Sequence, residues 1–156
     1  MIRIIGIGSP FGDDAVGLEI ARVLAEAPPA NCEVIAADRP GATLLELMDG
    51  ADAVILIDAV RSGMAAGVVH DLGFDELDRS GARFVSSHDL DVIAAIQLAR
   101  RLERAPRRGR IIGLEIGSRQ TDRLSAMSAS TCEAMGRVLE RVRSRAAEFD
   151  DRNSIN

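Results

Sequence analysis

The sequence predicts a single-domain α/β protein: a three-layer sandwich with a mostly parallel, twisted sheet and helices on both of its faces. Short apolar runs alternate with stretches of helical periodicity over residues 2–149, which is the pattern of a sheet built from strand–helix–strand units. Residues 53–57 are apolar at every position, as expected for a central parallel strand covered by helices on both sides. In such sheets, ligands bind at the carboxyl ends of the strands.

The first half of the chain is predicted to form three strands and two helices. Apolar runs place the strands at residues 2–7, 33–37 and 53–57. From Val16 onward, apolar residues spaced at i, i+4, i+7, i+8 and i+11 predict a helix that ends before Pro28. Thr43 and Glu46 have the spacing of a capping box, which predicts the start of a second, short helix.

The second half is predicted to contain further strands at residues 67–72, 83–85 and 110–116. Helices are predicted at residues 89–103 and 131–149. Residues 150–156 are polar and are expected to form a frayed tail, so that the domain spans residues 1–149. Cys132 falls on the apolar stripe of the last helix and is expected to be a buried, reduced thiol.

Composition excludes several classes of function. The chain has 156 residues, is 47% hydrophobic and 28% charged, and carries a formal charge of −5, as is ordinary for a globular domain. All 19 basic residues are arginine, which removes mechanisms based on a lysine. No apolar run approaches the ~20 residues of a membrane span, and the few aromatic residues argue against a base-stacking surface. The strand that begins at Ile2 leaves no room for a leader peptide. We therefore expect a cytoplasmic monomer that binds neither nucleic acid nor a membrane.

A glycine-rich turn follows the first strand. Gly6, Gly8 and Gly12 form the pattern G-x-G-x-x-x-G, whereas a dinucleotide-binding turn has G-x-G-x-x-G. Pro10 lacks an N–H group, and two aspartates follow the turn directly. A pyrophosphate would meet negative charge where a helix N-terminus normally offers positive potential. The turn is therefore more consistent with a cation or a polar substrate than with a nucleotide.

Acidic residues recur where predicted strands end. Asp13 and Asp14 follow the first strand, Asp38 the second and Asp58 the third. Each also has a structural interpretation, since aspartates cap helices and turns. We expect Asp13 to be such a cap.

A histidine is predicted to join these carboxylates. His88 lies at the entrance to the predicted helix at residues 89–103, and the sheet topology directs it towards Asp14 and Asp58. Two carboxylates and an imidazole would suit a borderline divalent ion such as nickel, zinc or iron. The other histidine, His70, lies in a predicted strand with no acidic cluster of its own, and we assign it no role.

These motifs resemble those of the [NiFe]-hydrogenase maturation endopeptidases. The segments that carry the resemblance are residues 6–17, 38–41, 57–60, 87–90 and 112–115, which together run through essentially the whole chain in order. The chain differs from the common pattern at Ser9, where asparagine is usual, and at Arg39 and Pro40, where glycine is frequent.

The resemblance implies an enzyme that removes a short C-terminal extension from the hydrogenase large-subunit precursor after nickel insertion. It implies metal ligation by Asp14, Asp58 and His88, and a further catalytic role for Asp38. It also implies that the nickel belongs to the precursor, so that the resting peptidase holds no metal. Two alternatives stay open, namely a non-catalytic module for a small ligand or nucleotide, and a metal-dependent hydrolase of small amides.

Overall fold

The computed structural model describes residues 1–77, 89–117 and 126–153 and confirms the predicted α/β fold. A five-stranded sheet with the order β2-β1-β3-β5-β4 forms its centre. The strands are β1 (Ile2–Gly8), β2 (Cys32–Asp38), β3 (Ala53–Val60), β4 (Val69–Gly73) and β5 (Arg108–Glu115). The first, second, third and fifth strands are parallel, and β4 is antiparallel to β5 at one edge.

Helices cover both faces of the sheet, as predicted. They are α1 (Val16–Glu26), α2 (Thr43–Met48), α3 (Phe74–Leu77), α4 (Asp89–Arg101) and α5 (Ala129–Asn153), with a 3₁₀ turn at Gly12–Ala15 before α1. One apolar core lies between the sheet and α1 with α5, and the other lies between the sheet and α2 with α4. Within the described part of the chain, no helix is long and apolar enough to cross a membrane.

The two cores explain why the central strands are apolar throughout. Along β1, Ile4 belongs to the core under α1 and α5, whereas Ile5 belongs to the core on the opposite face. Along β3, Ile55 lies in the core under α1 and α5, and Leu56 lies in the core on the opposite face. Since side chains of a strand alternate between faces, a strand covered on both sides needs apolar residues at every position.

Three local predictions were wrong. Helix α5 continues to Asn153, so residues 150–153 are helical rather than frayed, and Asp150 accepts a hydrogen bond from Asn31 Nδ2 at 2.7 Å. Thr43 lies inside α2, where its hydroxyl donates to the carbonyl of Pro40 instead of capping the helix. Cys132 is exposed, because the buried stripe of α5 passes through the neighbouring residue Thr131. The predicted strand at residues 83–85 lies outside the described residues.

Candidate active site

The glycines of the first turn permit a close approach between β1 and the chain that follows it. A Cβ atom on Gly6 would lie 2.0 Å from the carbonyl oxygen of Gly17, and one on Gly8 would lie 2.3 Å from that of Asp14. A Cβ on Gly17 would in turn lie 2.6 Å from the carbonyl oxygen of Ile57. The glycines therefore bring the start of α1 against the carboxyl ends of β1 and β3, which is a packing role.

Asp13 has a structural role, as expected, although it acts on a different helix. Its carboxylate accepts hydrogen bonds from the backbone N–H of Ser128 at 2.7 Å and from the Ser128 hydroxyl at 3.0 Å. Ser128 directly precedes α5. Asp13 thus ties the first turn to the start of the last helix, and negative charge is favourable there.

Asp14 faces the loop that follows β3. Its Oδ1 lies 3.4 Å from Nη1 of Arg61, and the two side chains are 31% and 29% exposed. The backbone carbonyl of Asp14 accepts a hydrogen bond from the N–H of Ser9 at 3.1 Å, which closes the turn. The carboxylate is therefore held on a short, braced turn and remains accessible to a ligand.

Asp58 occupies the point where β1 and β3 separate. Pairing between these strands ends at Gly6 and Ile57, whereas β3 continues to Val60 alongside β5. Asp58 is only 1% exposed, and its Oδ1 accepts a hydrogen bond from the N–H of Ala59 at 2.8 Å. The strand does not end at Asp58, as its position after an apolar run suggested. Instead, β1 and β3 stop pairing beside it, and open α/β sheets bind ligands in the crevice at such a switch point.

Asp38 ends β2, on the other side of β1 from Asp58. It pairs in register with Gly8, so it belongs to the same edge of the sheet. Its carboxylate accepts hydrogen bonds from Nε and Nη2 of Arg39 at 2.7 and 3.2 Å. The structure therefore places Asp38 on the rim, half exposed and paired with its neighbour.

His88 lies outside the described residues, so its predicted place beside Asp14 and Asp58 stays a prediction. Among residues 1–77, 89–117 and 126–153, no three histidine, cysteine or acidic side chains are gathered closely enough to hold a metal ion. The described part of the chain thus contains two of the three predicted ligands, at the predicted edge of the sheet.

A buried carboxylate that sequence reasoning missed lies at the end of β5. Glu115 is 1% exposed and accepts hydrogen bonds from the N–H of Ser62 at 2.8 Å, the Ser62 hydroxyl at 2.7 Å and the N–H of Gly63 at 3.1 Å. Its Oε2 also lies 2.9 Å from Nε2 of His70, so His70 does have an acidic partner, contrary to the prediction. A glutamate closing an apolar strand was the available signal.

Opposing influences set the pKa of Glu115. Burial acts to raise the pKa, but the hydrogen bonds from Ser62, His70 and Gly63 outweigh it and leave the pKa below its ordinary value near 4.5. The charged form is thus the one that the folded protein stabilises. This carboxylate fixes the loop after β3, which carries Arg61.

We expect Glu115→Gln to lower the free energy of unfolding by about 2 kcal/mol at pH 7, because it leaves buried donors without a charged acceptor. A lowered pKa in the folded state stabilises the protein above the unfolded pKa, and this contribution is lost as the pH falls through the folded value. The difference from the wild type should therefore shrink as the pH falls below about 4.5. Urea unfolding at several pH values measures it. The exposed Glu140→Gln provides a control that should change little, and a pH-independent difference would contradict the prediction.

Comparison with known proteins identifies the family. A family model described as hydrogenase maturation protease matches residues 18–145. The chain belongs to the hydrogenase maturation protease family. The match includes Asp38, Asp58 and His88, and it begins just after Asp14.

This maturation-protease family member is 32% identical over 104 residues to the hydrogenase expression/formation protein HupD of Rhodobacter capsulatus; the match covers 62% of this chain and 50% of that protein. Its fold is similar to that of the hydrogenase maturating endopeptidase HybD from E. coli, with a TM-score of 0.83, 22% identity, and 95% and 93% of the two chains covered. The [NiFe] hydrogenase maturation protease HybD from Thermococcus kodakarensis gives a TM-score of 0.72 at 22% identity, with 93% and 98% covered.

Proposed function

We propose that this protein is an endopeptidase that removes the C-terminal extension of a [NiFe]-hydrogenase large-subunit precursor after nickel insertion. The observation that carries the proposal is the position of Asp58, a buried carboxylate at the crevice where β1 and β3 separate, in a chain of the hydrogenase maturation protease family. Asp14, on the braced turn beside the same crevice, supplies a second carboxylate that solvent and substrate can reach.

In this proposal, the nickel arrives as part of the substrate. Asp14 and Asp58 offer oxygen ligands and His88 a nitrogen ligand, a mixed set that suits a borderline divalent ion. A metal held there would supply Lewis acidity, by polarising the scissile carbonyl or by acidifying a water molecule. Hydrolysis then forms a bond between the water oxygen and the carbonyl carbon, breaks the C–N bond and passes a proton to the leaving amine. Asp38, on the rim, positions the peptide or relays that proton.

Cys32 offers no thiol nucleophile to the proposed hydrolytic route. Burial raises the pKa of the Cys32 thiol to about 11, which keeps it protonated and unreactive. Cys132 lies on α5 and is exposed. Both cysteines are free thiols, as is usual in a reducing compartment, and the proposal accordingly places the protein in the cytoplasm. The proposal also takes the protein to act as a monomer.

The decisive experiment incubates the protein with a nickel-loaded precursor and with the same precursor lacking nickel, and measures removal of the tail by mass spectrometry. We expect cleavage of the loaded form alone. Equal cleavage of both forms would contradict nickel sensing, and cleavage of neither would contradict the proposed activity. Hydrolysis of small amides in the absence of any precursor would favour a general metal-dependent hydrolase instead.

A further inference from the structure

Arg61 is a charged residue beside the proposed site that the fold does not explain. It follows β3 directly, and its Nη1 lies 3.4 Å from Oδ1 of Asp14. Its Nε is buried and has no hydrogen-bond partner within the described part of the chain. A buried donor without an acceptor is uncommon and costs stability, which suggests that this resting arrangement serves a purpose other than stability.

The backbone holds Arg61 firmly in this position. On one side, the N–H of Ile116 donates to the carbonyl of Val60 at 2.9 Å. On the other side, the N–H groups of Ser62 and Gly63 donate to the buried Glu115 carboxylate. Residues on both sides of Arg61 are therefore fixed to the end of β5, which keeps the backbone of Arg61 within side-chain reach of Asp14.

We propose that Arg61 is a specificity-determining residue that acts as a counter-cation for Asp14 until the metal-loaded precursor arrives. This inference rests on the proposed function, because it takes Asp14 to be a metal ligand. A guanidinium next to Asp14 competes with a metal for the same carboxylate oxygen and repels any divalent ion that approaches it. A free ion in solution therefore binds weakly, whereas a metal presented with the other contacts of a precursor displaces the arginine.

The geometry of the Arg61–Asp14 contact fits an ion pair that can break and re-form, rather than a permanent one. A separation of 3.4 Å is long for a charge-assisted hydrogen bond, and partly exposed pairs are weak. Movement of the side chain also gives the buried Nε an opportunity to find an acceptor. By contrast, Asp71 is 6% exposed and binds Arg110 at 2.5 Å and Arg145 at 2.8 Å, as expected for a permanent contact.

The test measures binding of Ni²⁺ alone to the precursor-free protein by calorimetry. We expect Arg61→Met, which keeps the length of the side chain and removes its charge, to bind Ni²⁺ about tenfold more tightly than the wild type. Arg61→Lys should stay near the wild type. High salt should narrow the difference, because partly exposed charges are screened.

Arg22→Met is the matched control. It removes the same charge from α1, where Arg22 pairs with Glu19 at 3.0 Å and Glu26 at 3.2 Å, and it should leave Ni²⁺ binding unchanged. Circular dichroism checks folding of each variant, and Arg61→Gln serves as a second neutral variant if Arg61→Met does not fold.

Unchanged Ni²⁺ affinity in folded neutral variants of Arg61 would overturn the inference. The double variant Asp14→Asn with Arg61→Met should lose the gain in affinity, and a retained gain would overturn it as well. If Asp14→Asn abolishes processing while the neutral variants bind Ni²⁺ as the wild type does, only this inference fails. If Asp14→Asn processes the precursor normally, the proposed site itself fails.

Discussion

Replacing Asp58 with asparagine is expected to lower the rate of precursor processing by at least about a hundredfold, since even outer-shell changes at metal sites cost 10–100-fold. The amide keeps the shape of the carboxylate and retains an oxygen that can accept the hydrogen bond from Ala59 N–H. In the wild type this bond is 2.8 Å long. It removes the negative charge that a divalent ion requires. The fold should therefore survive while activity is lost.

Processing of the nickel-loaded precursor in single turnover, measured by mass spectrometry, checks this expectation. Asp14→Asn and His88→Gln should behave like Asp58→Asn. Asp49→Asn is a suitable control, because Asp49 pairs with Arg104 at 2.7 Å, away from the crevice, and its backbone carbonyl accepts from Arg3 near the start of β1. Normal processing by all three site variants would contradict the assignment of the site.

The sequence predicted the sheet and the edge that carries the site because both depend on local patterns. A strand buried on both faces must be apolar throughout, which is visible at residues 53–57. Once the strands are known to be parallel, their carboxyl ends share an edge, and Asp14, Asp38 and Asp58 fall there without further information. In the structure, all three aspartates lie at that edge of the sheet.

Such local patterns could not predict the contacts around Glu115. Its pairing with His70 depends on β4 lying antiparallel to β5 at the edge of the sheet, and periodicity indicates that a strand exists without indicating its neighbour. The pairing of Arg61 with Asp14 has the same origin, since it joins loops 47 residues apart. Asp13 shows the limit most clearly, because its partner Ser128 precedes a helix at the other end of the chain.

The glycine turn leads to the second large expected effect. We expect Gly6→Ala to lower the free energy of unfolding by more than about 4 kcal/mol or to prevent folding, as severe overpacking against backbone does. The added Cβ would lie 2.0 Å from the carbonyl oxygen of Gly17 and 2.6 Å from Cβ of Ala21. Backbone atoms cannot rotate away, so α1 would have to move off β1. Urea unfolding followed by circular dichroism measures the change.

Gly136→Ala separates this packing effect from the general effect of replacing a glycine. A Cβ on Gly136, within α5, would meet nothing within 4 Å, so this change should raise stability by about 0.5–1 kcal/mol through helix propensity. If Gly6→Ala proved as harmless as Gly136→Ala, the close packing of α1 on β1 would be wrong. Because that packing also brings the turn that carries Asp14 to the crevice beside Asp58, any folded Gly6→Ala protein should process the precursor more slowly than the wild type.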